Sequence, residues 1–454
     1  MKYINKNFPA LLILASTFFF VSCKKDSFTK ANENPNAPQT VVPAVILPSI
    51  EISLAYTQGG DLTRFSTLFA QHSVGFSRQA QAYFSYVLTS TDFDTPWGNL
   101  YTSVLGNNKD LLTRADAGGY NVYGGIARIL MAYSLQLLVD EWGKVPYSQA
   151  LKGNDNTEPV FDDDKALYDT IVNLVDKAIV QLNDPNPGAL TPGTDDIIYG
   201  GDASKWAKFG HAIKARIYIH QSKGDAVMAA NALAEANQSL SDNSDDAKFG
   251  FGSAETAANP VYQFDEQRTD IDYASGAFVD YLNSLNDPRL TIYITPDYSD
   301  PFGSGIGSYF GSISSPVEFI TYEEMLFVKA EATLRTTGDY AAAEAFYKAG
   351  IQASMDKLGV DAASSAIYIA ANGTLPTTGV NTAIAKVSLQ EYLALYLNPE
   401  AWTLWRRTGA PALTPTAGTN GIPRRFLYPQ SEYSLNSGNA PQGTLYAPKI
   451  FWDK

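Results

Sequence analysis

The stretch TYEEMLFVKAEATLRTTGDYAAAEAFYKAGIQAS, Thr321 to Ser354, decides the fold class. Phe327, Ala330 and Leu334 recur at helical spacing, and so do Ala342, Ala345, Phe346, Ala349 and Ala353. Gly338-Asp339 interrupts the two runs. Glycine can take the left-handed conformation that ends a helix, and aspartate caps the next one. Thr321 and Glu324 stand at capping-box spacing, so each is expected to satisfy a free amide of the first turn. Glu323 and Glu324 are then read as charges that complement the helix dipole. The segment predicts an antiparallel helical hairpin over about 321–356 whose alanines allow close approach.

A second stretch repeats the design. Trp206, Phe209, Ile213 and Ile217 form one apolar stripe, Gly224-Asp225 makes the turn, and Ala229, Ala232, Leu233 and Ala236 return. This hairpin covers about 204–240. Each unit resembles a tetratricopeptide pair, although the two do not follow at the ~34-residue period of a tandem array. Further stripes lie at Ile126, Ile129, Leu130, Tyr133, Leu137 and at Leu167, Ile171, Leu174, Val175, Ala178, Leu182. Trp97, Leu100, Tyr101 and Val104 share the same spacing and read as packing. No comparable series of alternating strand segments appears, so the fold class is all-α.

The N-terminus reads as a targeting segment. Lys2 and Lys6 precede an apolar run from Phe8 to Val21, too short to span a bilayer comfortably. It stops at Ser22-Cys23, and this is the one cysteine of 454 residues. A small residue before a cysteine at that place is the pattern of a bacterial lipoprotein signal, with 1–22 removed and Cys23 lipidated. Acyl chains give membrane attachment at about 0.8 kcal/mol per buried methylene. Residues 23–48, rich in Asn and Pro, read as a tether, and 49–454 as the helical body.

Without Lys2 and Lys6, 31 basic side chains face 47 acidic ones, a net charge of −16. That excess argues against a nucleic-acid partner. The three histidines are scattered, with no zinc spacing, no nucleophile elbow and no phosphate-binding loop. The sequence therefore gives no metal site, no cofactor and no catalytic residue. Acid pairs (Asp140 with Glu141, Asp162 to Asp164, Asp195 with Asp196, Glu323 with Glu324) are the one enzymatic motif, since glycosidases use two carboxyl groups. Among 47 acids such neighbours arise by chance.

Aromatic residues carry more information: 27 Tyr, 23 Phe and 6 Trp. Most must form the core. Those in loop-rich segments are expected to be exposed and to contact a ligand: Tyr83, Tyr86 and Phe93, and Tyr298, Tyr309 and Phe310.

Taken in order, the motifs resemble the SusD/RagB-type nutrient-binding outer-membrane lipoproteins. The likeness runs from Cys23 and Asn34-Pro35-Asn36 through Trp97-x-x-Leu100-Tyr101 and Asp140-Glu141-Trp142-Gly143-Lys144-Val145-Pro146-Tyr147. It continues with Tyr199-Gly200-Gly201-Asp202, Lys205-Trp206, Asn286-Asp287-Pro288-Arg289 and Glu324 to Ala332, and ends with Trp402, Arg406-Arg407-Thr408-Gly409, Tyr428-Pro429 and Glu432. His211 and Glu391 depart from the pattern, where Asn and Lys are usual. The resemblance implies a tetratricopeptide-like scaffold with a loop-rich ligand face, lipid-anchored on the outer surface of the outer membrane. It also implies a TonB-dependent, SusC-like transporter as partner, faced by the hairpins, and an oligosaccharide or other nutrient as ligand. Trp142, Trp206 and Arg406 become architectural. Capture of a peptide, a lid without its own ligand and, from the acid pairs, a surface glycoside hydrolase are the competing readings.

Overall fold

The computed structural model describes residues 42–295 and 305–454. Cys23 and Tyr298 lie outside the described residues. The first described helix, α1 (Pro43–Thr57), begins inside the stretch read as a tether. Proline is suited to a helix start because its fixed φ fits and its missing N–H is not needed there. Ile46, Leu47, Ile50 and Leu54 bury one face of α1, which anchors it to the body.

After α2 (Thr63–Phe69), strand β1 (Val74–Gly75) and helix α3 (Arg78–Phe84), the chain builds a stack of long helices. These are α4 (Asn107–Gly118), α5 (Asn121–Trp142), α6 (Asp164–Leu182), α7 (Ala203–Gln221) and α8 (Ala226–Ala236). A loop-rich insertion follows, with strand β2 (Ala247–Phe249), helix α9 (Pro260–Gln267), strand β3 (Ile271–Asp272) and strand β4 (Val317–Ile320). The helical part resumes with α10 (Tyr322–Thr336), α11 (Tyr340–Leu358), α12 (Ala362–Asn372), α13 (Val380–Ala394) and α14 (Glu400–Thr408).

The pairs α5/α6, α7/α8 and α10/α11 are hairpins, and α8 packs on α10 although more than eighty positions of loop-rich chain separate them. The insertion thus loops out between stacked pairs, as the interrupted repeat requires. Gly224 and Gly338 adopt φ of 77° and 64°, and Asp225 and Asp339 accept from the first-turn amides that follow. Asp163, Asp202 and Asp361 cap α6, α7 and α12 in the same way, each cap being worth about 1 kcal/mol. Part of the acidic excess is therefore capping chemistry.

Helix α5 is long and apolar enough to cross a membrane, yet 94% of its apolar window is buried inside the protein. It is the central core helix. Among the described residues two short antiparallel ladders complete the fold: Val74 opposite Asp272, and Ala247 opposite Ile320 with Phe249 opposite Val317. The second runs straight into α10.

The first turn of α10 departs from the capping-box expectation. Thr321 makes no side-chain cap, and Glu324 points into the core, where Arg216 Nε and Nη2 reach its two oxygens at 2.7 and 2.6 Å. Glu323 pairs with Lys357. Because this turn is packed against its neighbours rather than open to water, its carboxylates go to cations of other helices. His211, one of the two departures from the family pattern, pairs with Glu235 at 2.6 Å.

Candidate ligand-binding face

The acid pairs are structural. Asp140 sits beside His220 at 3.6 Å and accepts from Tyr168. Glu141 lies 3.9 Å from Arg406, and burial pushes its carboxyl up to about 8 against that attraction. Asp162 accepts from the amides of Tyr147 and Ser148 at 2.8 Å each. Asp195 accepts from Tyr123 at 2.6 Å. Asp196 takes the Trp206 indole N–H at 2.6 Å and the Gly201 amide at 2.8 Å. These bonds tie together the motifs quoted above, and Trp142, Trp206 and Arg406 are all fully buried.

Asp140, His220 and Glu400 bring three potential ligand atoms within 4.8 Å of one another. The ring nitrogens of His220 are already engaged, Nε2 with Glu400 at 2.8 Å and Nδ1 with Tyr168 at 2.8 Å. Burial lowers the imidazole, but Glu400 and Asp140 outweigh it and push it up to about 9. The three side chains are thus joined to one another and to Tyr168 by close contacts that favour a protonated ring between carboxylates.

The aromatic residues chosen from the sequence correct the expectation of exposure. Tyr83, Tyr86, Phe93 and Phe310 are only 3%, 6%, 0% and 7% exposed. Phe65 packs on Tyr83 at 4.8 Å and on Phe93 at 4.9 Å, and Phe426 stacks on Phe93 at 4.8 Å. Phe310 packs on Tyr293 at 5.4 Å and Tyr396 at 5.1 Å. Rings from distant parts of the chain occupy the faces a ligand would need. Tyr309 keeps partial exposure, with its hydroxyl donating to Glu318 at 3.2 Å.

A different set of residues reaches solvent. Strands β1 and β3 pair, and the Phe76 amide extends the ladder to the Asp270 carbonyl at 3.1 Å. A Cβ at Gly75 would lie 2.0 Å from the Ala80 carbonyl oxygen, so only glycine lets the strand turn this tightly into α3. Arg78 then holds φ at 45°, a conformation costing on the order of 1–3 kcal/mol for a side-chain-bearing residue. Buried Asp270 compensates: Ser77 Oγ and Arg78 Nη1 each reach it at 3.1 Å, and Arg268 Nε lies 3.3 Å away. Phe76 and Arg78 project outward as a result.

Helix α9 supplies the second half. Asn259 caps it, accepting from Val261 and Tyr262. Val261 turns inward, while Tyr262 and Phe264 stay half-exposed. The Arg64 guanidinium stands 4.0 Å over the Phe264 ring and that of Arg268 5.7 Å from it. The crevice behind Phe264 has about 10 Å³, room for a single water at most. A ligand would lie across this surface rather than in a pocket. Arg64 covers one face of Phe264, so what is offered to solvent is the rest of that ring with Phe76, Tyr262 and the guanidinium donors, a combination suited to a molecule with apolar C–H faces and hydroxyl or acidic edges. Sequence reasoning passed over Tyr262 and Phe264, because the insertion reads as undivided loop; the Asn259-Pro260 helix start is the signal that could have found them. Phe76, ahead of α3, carries no such local signal.

No curated protein matches the chain. Among solved structures, a SusD/RagB family protein from Bacteroides thetaiotaomicron is similar at 23% identity, covering 91% of this chain and 99% of that one, with a TM-score of 0.74. A chitin-binding protein has a TM-score of 0.78 at 23% identity, covering 91% and 100%. A chitin-binding SusD homolog from Flavobacterium johnsoniae has 0.75 at 20%, covering 90% and 98%. The helical fold is theirs. A family model described as starch-binding and associating with the outer membrane matches residues 35–429, and with that span the chain belongs to the SusD-like family.

Proposed function

We propose that this protein captures an oligosaccharide outside the outer membrane and passes it to a TonB-dependent, SusC-like transporter, without catalysing a reaction on it. Membership of the SusD-like family over residues 35–429 carries the reading. It is supported by the exposed aromatic and arginine face, and by acid pairs whose bonds are spent inside the fold. Lipidation at Cys23 and an extracellular position are parts of the same proposal. Phe76, Tyr262, Phe264, Arg78 and Arg268 are the proposed contacts, with Tyr309 at the margin. Tyr83, Tyr86, Phe93 and Phe310 serve as buried packing rather than as contacts.

Two similar structures are described as chitin-binding, so chito-oligosaccharides head the test panel, followed by α-glucans and peptides. Calorimetry should detect one glycan class. Phe264→Ala should weaken it about fivefold or more, a loss of roughly 1 kcal/mol for one aromatic contact, with the folded state retained in circular dichroism. Binding only to peptides, or glycan affinity unaffected by Phe264→Ala and Phe76→Ala together, would refute the site or the ligand class.

A further inference from the structure

A cleft far from that face in sequence lies where four helical elements meet. It measures about 230 Å³ and is lined by Lys223 of the α7–α8 turn, Arg335 of α10, Asn381, Ile384 and Ala385 at the start of α13, and Arg407 and Thr408 at the end of α14. Three side chains on this wall are cationic.

The anions that face them do not use up their hydrogen-bonding capacity. Glu331 bridges Arg335 and Arg407, at 2.7 and 2.6 Å. Lys223 Nζ donates to the main-chain oxygen of Lys454 at 2.7 Å. Arg407, with its side chain 2% exposed, leaves Nε and Nη2 without a hydrogen bond. Nη2 lies 3.5 Å from Glu391 Oε2, with no hydrogen bond between them. Buried guanidinium donors left unbonded are unfavourable, and an acceptor that reaches them relieves that cost. Helix α13, fifteen residues long, starts here after its N-cap Gly379 with no side-chain cap and no acidic residue in its first turn, which leaves its positive dipole end suited to an anion.

We infer that this cleft is a binding site for a phosphoryl or similar tetrahedral oxyanion, held by Arg335, Lys223, Arg407 and the first turn of α13. Guanidinium forks and helix N-termini are the groups that recognise such anions. The oxyanion can arrive free in solution or on a phospholipid headgroup, and the two are separable.

The test uses the full chain carrying Cys23→Ala, so that no lipid tail masks a vesicle arm. Inorganic phosphate is titrated by calorimetry at constant ionic strength, and flotation is measured with vesicles of phosphatidylglycerol against vesicles of phosphatidylcholine. Asn381 is exposed, and Asn381→Asp places a carboxylate in the first turn of α13, where it favours the helix while repelling an anion. The expected result is saturable binding in one arm, weakened about tenfold or more by Asn381→Asp and by Lys223→Gln with Arg335→Gln. The responding arm identifies the source. No binding in either arm, or binding that both variants leave unchanged, overturns the assignment.

Discussion

Replacing Glu324 by Gln tests what holds the third hairpin to the second. The Arg216–Glu324 pair is bidentate, with side chains 2% and 1% exposed. Arg216 Nη2 also donates to the Phe319 carbonyl at 2.9 Å, and its Nε lies 3.6 Å from Glu400. Glutamine keeps the shape, removes the charge and offers one acceptor where there were two. One guanidinium N–H then loses its acceptor, and the remaining countercharge is Glu400, already bonded to His220. Breaking one partner of a buried pair costs about 3–5 kcal/mol, against about 0–1 for an exposed one. Because Glu400 remains, the lower end applies, about 3 kcal/mol. The body runs from Pro43 to Lys454, about 410 residues, and an unfolding entropy of about 2 cal/mol/K per residue converts that loss into a fall in Tm of about 3–4 °C. Thr321→Val is the control: Thr321 is buried, valine keeps its shape, and with no cap bond to lose the change should stay within about 0.5 kcal/mol. Urea unfolding followed by circular dichroism measures both. If Thr321→Val matched Glu324→Gln at about 1 kcal/mol, the first turn would be held by a capping box and the buried pair would be refuted.

Three further outcomes are expected. His220 is raised above its ordinary value of 6.5 to about 9 by Glu400 and Asp140 despite burial, so its contribution is complete below about pH 6.5 and is lost as pH rises through 9. His220→Gln should flatten the decline of Tm over that window, and an unchanged slope would contradict the buried imidazolium. A Cβ at Gly350 would lie 2.8 Å from the Phe327 ring, so Gly350→Ala should cost about 1–3 kcal/mol in overpacking, outweighing a gain of about 1 kcal/mol in helix propensity; higher stability would show that α10 and α11 are not in such close contact. Cys23→Ala should move the protein from the membrane fraction to the soluble one, and retention in the membrane would remove the lipid anchor from the proposal.

The helical hairpins were legible because their signals are local. A 3.6-residue apolar stripe, a glycine at a turn and an aspartate after it act within one or two helical turns, so Gly224-Asp225 and Gly338-Asp339 can be read without knowing any neighbour. Chain order likewise carried the family motifs and the acidic balance. The destinations of side chains that meet across long separations were not legible. Glu324 looks like a capping residue until Arg216, more than a hundred positions away, is placed beside it. Tyr83 and Phe93 look like loop aromatics until Phe65 and Phe426 cover them. Phe76 and Phe264 reach the surface only because the β1–β3 ladder and the buried Asp270 fold two separate loops together. Local backbone preference is written in neighbouring residues, whereas burial depends on which distant segment takes the other side of the contact, and only the packed chain settles that.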